Sequence, residues 1–304
     1  HAYWEVETPQ LCSESVVDAH LDPILAQSPH RHAAEQSSWY LQTSPELCMK
    51  RLLAEGADRI YQIGHVFRAD EVGRIHNPEF TMLEWYANGT SLSDQMDFVE
   101  QLCIHLQAFY NENSPSTEFQ RLTFEEAGQL VLGVSLLDCN PAQLEAVLKK
   151  FVPDLVINLP SEEQDRTELI CQLLLTECIE PWLNSQGPTF LYNYPAWQAA
   201  LARVHPKDPR VAERFELYWN GIELCNGYRE LLDANVLQNR SRIQNQIRCR
   251  HGLPPLREPQ RLIDAMQKGL PDCSGVALGV DRLVMVLLGL NEIREVIAFT
   301  AEDV

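Results

Sequence analysis

The chain has 304 residues, 45% of them apolar, and a formal charge of −19 at pH 7. That length and apolar share can build a large core without disulfides or structural metals, as one large domain or one domain plus an insertion. The acidic balance disfavours a broad nucleic-acid surface, because affinity for phosphate backbones comes from Lys and Arg releasing counterions. Nine scattered cysteines form no CxxC pair, which reads as reduced cytosolic thiols filling core rather than as a zinc or redox site, so a cytoplasmic location is expected. No apolar run reaches the roughly 20 residues of a membrane span, and no membrane partner is expected. The chain begins at His1 rather than Met, so a segment upstream of it is expected.

In chain order, Tyr3 to Val6 reads as a short strand that turns at Glu7-Thr8-Pro9, where proline stops helix and central strand alike. Residues 22–38, rich in Pro, Ser, His and Gln, read as a surface loop. Ser44-Pro45-Glu46 opens a helix that runs to about Ala54. Residues 59–70 and 79–87 have strand composition and flank a polar loop, which gives a hairpin. Leu and Phe at spacings of three and four predict helices over 92–110, 123–132 and 141–151. A polar stretch over 152–168 then leads into a helix over 168–179, so residues 111–190 form an α-rich insertion. Residues 210–226 alternate around Asn220-Gly221, the strongest short signal for a two-residue hairpin turn. A basic, Gln-rich helix follows over 234–250. Last, CSGVALGVDRLVMVLLG reads as a small-residue strand running into a helix with Leu283, Val286 and Leu287 on one face. Antiparallel strands mixed with helices make the fold class α+β, with one central sheet.

Three constellations can carry chemistry. Counting outward from the Asn-Gly turn pairs 218 with 223 and 216 with 225, which puts Glu216 and Glu223 diagonally on one face, near enough to bridge a hard cation such as magnesium. The same pattern fits a solvated strand face. Phe80, Glu84 and Tyr86 share a face at period two, and Arg68 ends the partner strand; a guanidinium there can clamp carboxylate or phosphate, and an aromatic can stack on adenine. An amphipathic hairpin with an arginine paired to a neighbouring acid fits equally. Gly275, Ala277 and Gly279 lie on a strand before Arg282, which allows close ligand approach or merely tight packing. No GxGxxG dinucleotide turn in strand–helix context and no GxxxxGK[ST] phosphate loop occurs.

Taken together and in this order, YWEVETP, FRADEVGRIHNPEFTMLEWY and GVALGVDR resemble motifs 1, 2 and 3 of the class II aminoacyl-tRNA synthetases. TSPELCMKRL, HNPEFTMLEWY and GIELCNGYREL resemble the lysine-specific branch, and within it the truncated paralogues that ligate lysine to elongation factor P. The resemblance covers essentially the whole chain and implies a class II synthetase-type antiparallel sheet flanked by helices. It implies that Arg68 bridges the substrate carboxylate and the α-phosphate of ATP, that Phe80 stacks on adenine, and that Asn77 touches ATP. Asp70, or Glu71 in its place, would contact adenine; Leu224 and Gly279 would border the nucleotide, and Arg282 would hold the γ-phosphate. Glu216 and Glu223 would hold Mg2+, with Glu223 also counted among the ATP contacts. Ser44, Glu46, Glu84, Tyr86, Asn226, Glu230 and Ala277 would surround the amino acid.

That relationship implies adenylation of (R)-β-lysine or lysine, then transfer to a lysine of elongation factor P and not to tRNA. Arg68 and Arg282 would be the catalytic residues, stabilising phosphoryl charge during in-line displacement. A pocket with Glu46, Glu84 and Glu230 carries more negative charge than a neutral amino acid balances, which a dibasic ligand offsets. Two positions depart from the tRNA-charging pattern: Arg68-Ala69-Asp70 replaces Arg-x-Glu, and Ala277 stands where glycine is usual. Motif 1 implies a homodimer. The rival expectations are the catalytic domain of a lysyl-tRNA synthetase and a synthetase-like amino-acid sensor without activity; retention of Arg68, Arg282, Glu216 and Glu223 speaks against the second.

Overall fold

The computed structural model describes residues 2–27, 38–110 and 117–304. The chain divides into two compact units, residues 1–95 with 227–304, and residues 96–226. The first unit opens with β1 (Trp4–Glu5), β2 (Leu11–Cys12), β3 (Leu25–Ala26) and β4 (Trp39–Leu41). Strands β2, β4 and β3 form a small sheet of their own, in that order. The loop expected over 22–38 therefore carries a strand, and its residues 28–37 lie outside the described residues.

Helix α1 (Glu46–Ala54) follows, buried through Met49 and Leu53. Next come β5 (Arg59–Phe67) and β6 (Glu79–Asn88), antiparallel from Arg59 opposite Ala87 to Phe67 opposite Glu79. Trp85, almost wholly buried, donates from Nε1 to Gln95 at 2.7 Å, so its polar edge is satisfied. Helix α2 (Leu92–Tyr110) starts in this unit and continues into the next.

The second unit holds β7 (Gln120–Thr123), α3 (Phe124–Leu132), α4 (Pro141–Phe151), α5 (Glu163–Leu174), a π-turn over Leu175–Ile179, α6 (Glu180–Leu183) and β8 (Thr189–Tyr192). Thr123 with Glu126 and Asn140 with Gln143 form reciprocal capping boxes, so α3 and α4 begin where side chains satisfy their first N–H groups. Helix α5 begins five residues before the expected 168. Its first turn carries Glu163 and Asp165, acids that suit a helix N-terminus but read as loop when only polarity is counted. The π-turn falls just before Pro181, which has no N–H to continue the four-residue ladder. Phe124, Leu144, Ile170, Leu174, Leu183 and Tyr194 head this unit's core; full burial of each aliphatic is worth about 1.5–3 kcal/mol. Residues 111–116 of the expected insertion lie outside the described residues.

Strands β9 (Arg214–Trp219) and β10 (Ile222–Arg229) make the hairpin, with Asn220 at φ 53° and Gly221 at φ 71°, the left-handed pair that a two-residue turn requires. In this unit the strand order is β10, β9, β8, β7, with β7 parallel to β8 and β8 antiparallel to β9.

The last residues of β10 return the chain to the first unit, which is completed by α7 (Ala234–Arg250), α8 (Gln260–Lys268), β11 (Cys273–Gly279) and α9 (Val280–Leu288). Here the strand order is β1, β5, β6, β11, antiparallel except for β1 beside β5. The strands are thus not uniformly antiparallel, since each unit has one parallel edge pair. Arg248 is buried in α7 and donates to the carbonyls of Pro254 and Asp18 and to the Asp22 carboxylate, fastening the helix to two loops. Among the described residues no helix is long and apolar enough to cross a membrane.

Candidate active site

Register between β6 and β11 sets the first cluster. Tyr86 lies opposite Gly275, and Glu84 lies opposite Ala277. The Tyr86 hydroxyl donates to Glu84 Oε1 at 2.6 Å, and Ser44 Oγ donates to Glu84 Oε2 at 2.7 Å while accepting from the Glu46 N–H at 3.1 Å. Helix α1 adds Glu46 and, one turn on, Lys50. The Lys50 ammonium is fully buried and sits 2.5 Å from Glu46 Oε1 and 2.5 Å from Glu230 Oε2, the second contact being a charge pair without hydrogen-bond alignment. It also lies 6.0 Å from the centre of the Tyr86 ring.

Gly275 leaves the room for this packing. A Cβ there would stand 2.3 Å from Tyr86 Cε1 and 2.8 Å from Glu230 Oε1, closer than real Cβ contacts come. Burial pushes the Glu84 carboxyl up to about 7, helped by Glu46 and opposed by Tyr86, Ser44 and Lys50. Burial likewise pushes Glu230 up to about 8 against the pull of Lys50. Burial disfavours the Lys50 cation, but Glu230 and Glu46 outweigh it and hold its pKa above the usual range. Burial and the surrounding acids keep Tyr86 a neutral donor.

A second cluster gathers at the loop between β5 and β6. The Arg68 guanidinium lies 5.0 Å from the centre of the Phe80 ring, and its Nη1 contacts Glu71 at 3.3 Å. Its Nε is buried with no hydrogen-bond partner. Asp70 is exposed with φ 61°, and it is Glu71, not Asp70, that meets the arginine. Arg282, in the first turn of α9, donates from Nε to the Ile75 carbonyl at 3.3 Å. Burial, then Arg282, and more weakly Arg68 hold the His76 imidazole below its usual pKa, so both guanidinium charges reach one side chain. Asn77 is buried and spends its carboxamide on Glu79 and on the Ala301 N–H, tying the loop to the C-terminal segment. Gly279 stands at the N-terminus of α9, where Asp281 accepts from the Thr81 N–H at 2.7 Å.

The second unit holds its own acid cluster. Glu216 Oε2 accepts from the hydroxyls of Tyr194 at 2.5 Å and Tyr218 at 2.7 Å, and Oε1 pairs with Arg214. Asn226 Nδ2 approaches Oε1 at 3.4 Å. A plain count from the turn would put 225 beside 216; that Asn226 reaches it means the two-residue alternation does not hold along β10. Burial first, and then the Glu216 carboxylate, push Glu180 up. Glu223 is half-buried and acts electrostatically on Tyr218, while Leu224 is buried. Hard carboxylate oxygens suit magnesium, and among the described residues no three acids, histidines or cysteines converge as a complete metal cage. Magnesium commonly takes only one or two carboxylates and fills its octahedron with phosphate oxygens and water, so Glu223 fits as a ligand, while Glu216 would fit once Oε1 gives up its contacts with Arg214 and Asn226.

Sequence reasoning missed Lys50 and the Arg214–Tyr194–Tyr218 setting of Glu216, whereas the contact of Arg68 with Glu71 and the close packing at Gly275 match its alternatives of an arginine paired to a neighbouring acid and a small-residue strand that allows tight packing. A lysine four residues after Glu46, between the buried Met49 and Leu53, was the available signal for the first. Missed too was a cavity of about 230 Å³ beside α1, walled by Cys12, Cys48, Arg51, Arg261 and Ser44. There the neighbouring Cys12 thiol, which itself donates to the Pro9 carbonyl at 3.3 Å, pulls the Cys48 thiol down to about 6, with Arg51 and Arg261 assisting against burial.

Residues 1–303 match the model of the class II tRNA synthetases (D, K and N). The chain belongs to that family. It is 45% identical over 295 residues, 97% of this chain and 87% of theirs, to elongation factor P–(R)-β-lysine ligases of Yersinia pestis (strain Pestoides F) and Yersinia pseudotuberculosis serotype O:1b (strain IP 31758).

Proposed function

We propose that this chain is an ATP-dependent, AMP-forming ligase that activates (R)-β-lysine, or lysine, and hands it to a lysine side chain of elongation factor P. The observation that carries the reading is the buried cluster of Glu46, Glu84, Glu230 and Tyr86, in a chain closely related to ligases named for that reaction. Three buried acids against one internal lysine suit a ligand with two ammonium groups, because buried carboxylates are costly unless paired.

On this reading, Glu46, Glu84 and Glu230 bind the ammonium groups, Tyr86 and Ser44 fix the Glu84 carboxylate, and Asn226 and Ala277 border the ligand. Arg68 takes the amino-acid carboxylate and the α-phosphate, for which its unpartnered Nε is a ready donor. Phe80 already gives one face to Arg68, so adenine stacks on the other, with Glu71 or Asp70, Leu224 and Gly279 beside it. Asn77 serves by holding the loop, and Arg282 binds the terminal phosphate. Magnesium supplies charge neutralisation at the triphosphate when held by Glu216 and Glu223. No side chain acts as nucleophile, so positioning and electrostatics carry the rate.

Transfer to protein rather than tRNA fits the net charge of −19 and Ala277. A homodimer through motif 1 fits the exposed Trp4 of β1, and the two units form one catalytic domain. The test is pyrophosphate exchange into ATP dependent on each lysine isomer. Exchange with (R)-β-lysine that disappears in Arg68→Ala supports the reading, and no exchange with any isomer refutes it.

A further inference from the structure

We propose that Lys50 is a positioning residue that sets the charge of the amino-acid pocket: its buried ammonium, bridging Glu46 and Glu230, holds those side chains in place and offsets one negative charge, so that the pocket accepts a ligand with two ammonium groups. The inference rests on reading this pocket as the amino-acid site, and adds to it a residue that touches no substrate.

The geometry is that of an internal bridge. Lys50 spans two carboxylates from different elements, Glu46 on α1 and Glu230 after β10, at 2.5 Å each, with its side chain 3% exposed. The other titratable groups facing this cluster are Glu84 and Tyr86 on β6 and Cys273 on β11. Lys50 is the cation that acts on both Glu84 and Glu230. With all groups ionised, three carboxylates and one ammonium leave two negative charges, the number that a diammonium ligand neutralises. Without Lys50, three negative charges would face two positive ones, and a buried surplus charge is relieved by taking up a proton. The acid that takes up that proton no longer attracts an ammonium group. Lys50 therefore extends ligand binding to lower pH, because it lowers the proton affinity of the acids around it.

Lys50→Met keeps the straight-chain volume and removes the charge. KM for the lysine-type ligand and for ATP would be measured by pyrophosphate exchange from pH 6.5 to 9. At pH 7 the variant is expected to raise the amino-acid KM by about tenfold, the change that follows when the acidic limb of the profile moves up by about one pH unit. The defect is expected to fade toward pH 9 while the ATP KM stays near wild type. A defect of equal size at every pH, as lost packing would give, overturns the inference, and so does an unchanged amino-acid KM. Wild-type protein without lysine-dependent exchange would instead sink the reading of the site itself. Should Lys50→Met not fold, the milder Lys50→Gln is assayed in the same way: a rise in amino-acid KM at pH 7 that fades toward pH 9 is expected, and a pH-independent defect or an unchanged KM overturns the proposal.

Discussion

Adding one methyl group at Gly275 tests the pocket most sharply. In Gly275→Ala the new Cβ would stand 2.3 and 2.4 Å from the Tyr86 ring, against ordinary contact at 3.4 Å or more. The neighbour on that side is an aromatic ring rather than the end of a flexible chain, so relief requires the ring to retreat by about 1 Å. A retreat of that size stretches the 2.6 Å bond from the Tyr86 hydroxyl to Glu84 beyond hydrogen-bonding distance. Overpacking of this kind costs about 1–3 kcal/mol of stability. Misplacing a substrate-binding group by about 1 Å can cost about 100-fold in activity. Amino-acid-dependent pyrophosphate exchange should thus fall by about two orders of magnitude in kcat/KM for the lysine isomer, with the ATP KM nearly unchanged and a lowered melting temperature. Activity within twofold of wild type would refute the argument that Tyr86 and Gly275 define the pocket.

Arg68→Lys should reduce exchange by at least about tenfold, because an ammonium cannot reproduce the guanidinium's planar donors; an equal rate would deny it the bidentate role. Cys48 should be alkylated by iodoacetamide at pH 7 faster than its neighbour Cys12, read by peptide mass, since the Cys48 thiol is drawn down whereas that of Cys12 is raised; an equal or slower rate would contradict the assignment. Arg248→Met should destabilise the fold by about 1–3 kcal/mol in urea, leaving the Pro254 and Asp18 carbonyls without their donor, and an unchanged urea midpoint would contradict this fastening role. Glu230 has a folded pKa above its unfolded one, so the native state binds the extra proton and this group's contribution to stability falls as pH rises from about 4.5 to about 8. Glu230→Gln should accordingly flatten the fall in melting temperature of ligand-free protein across that window, and an unchanged slope would contradict the assignment.

What the sequence revealed follows from which signals are local. The β5–β6 hairpin and the Asn220-Gly221 turn were legible because strand alternation and left-handed turn residues act over a few positions. Helix α7 was legible in both bounds, since Asp233 caps its start and the HGLPP breaker follows its end. Strands β2, β3 and β4 were not, because two or three residues show no period. Among site residues, Phe80, Glu84 and Tyr86 came from period-two spacing, Glu216 and Glu223 from counting out of the turn, and Arg68, Ala277, Gly279 and Arg282 from their places on or beside strands, while Ser44, Glu46, Asp70, Asn77, Leu224, Asn226 and Glu230 came by resemblance. Lys50 escaped because its partner Glu230 is 180 positions away, so its burial is a tertiary fact. Asn226 contacting Glu216 escaped for a related reason, since a plain pairing count assumes unbroken alternation.

The most direct measurement mixes the protein with ATP, Mg2+, elongation factor P, tRNA and one lysine isomer at a time, then weighs both macromolecules. Elongation factor P should gain one lysyl residue, most readily from (R)-β-lysine, on a lysine side chain, while tRNA stays unchanged. Mass appearing on tRNA alone, or on neither macromolecule, would contradict the assignment.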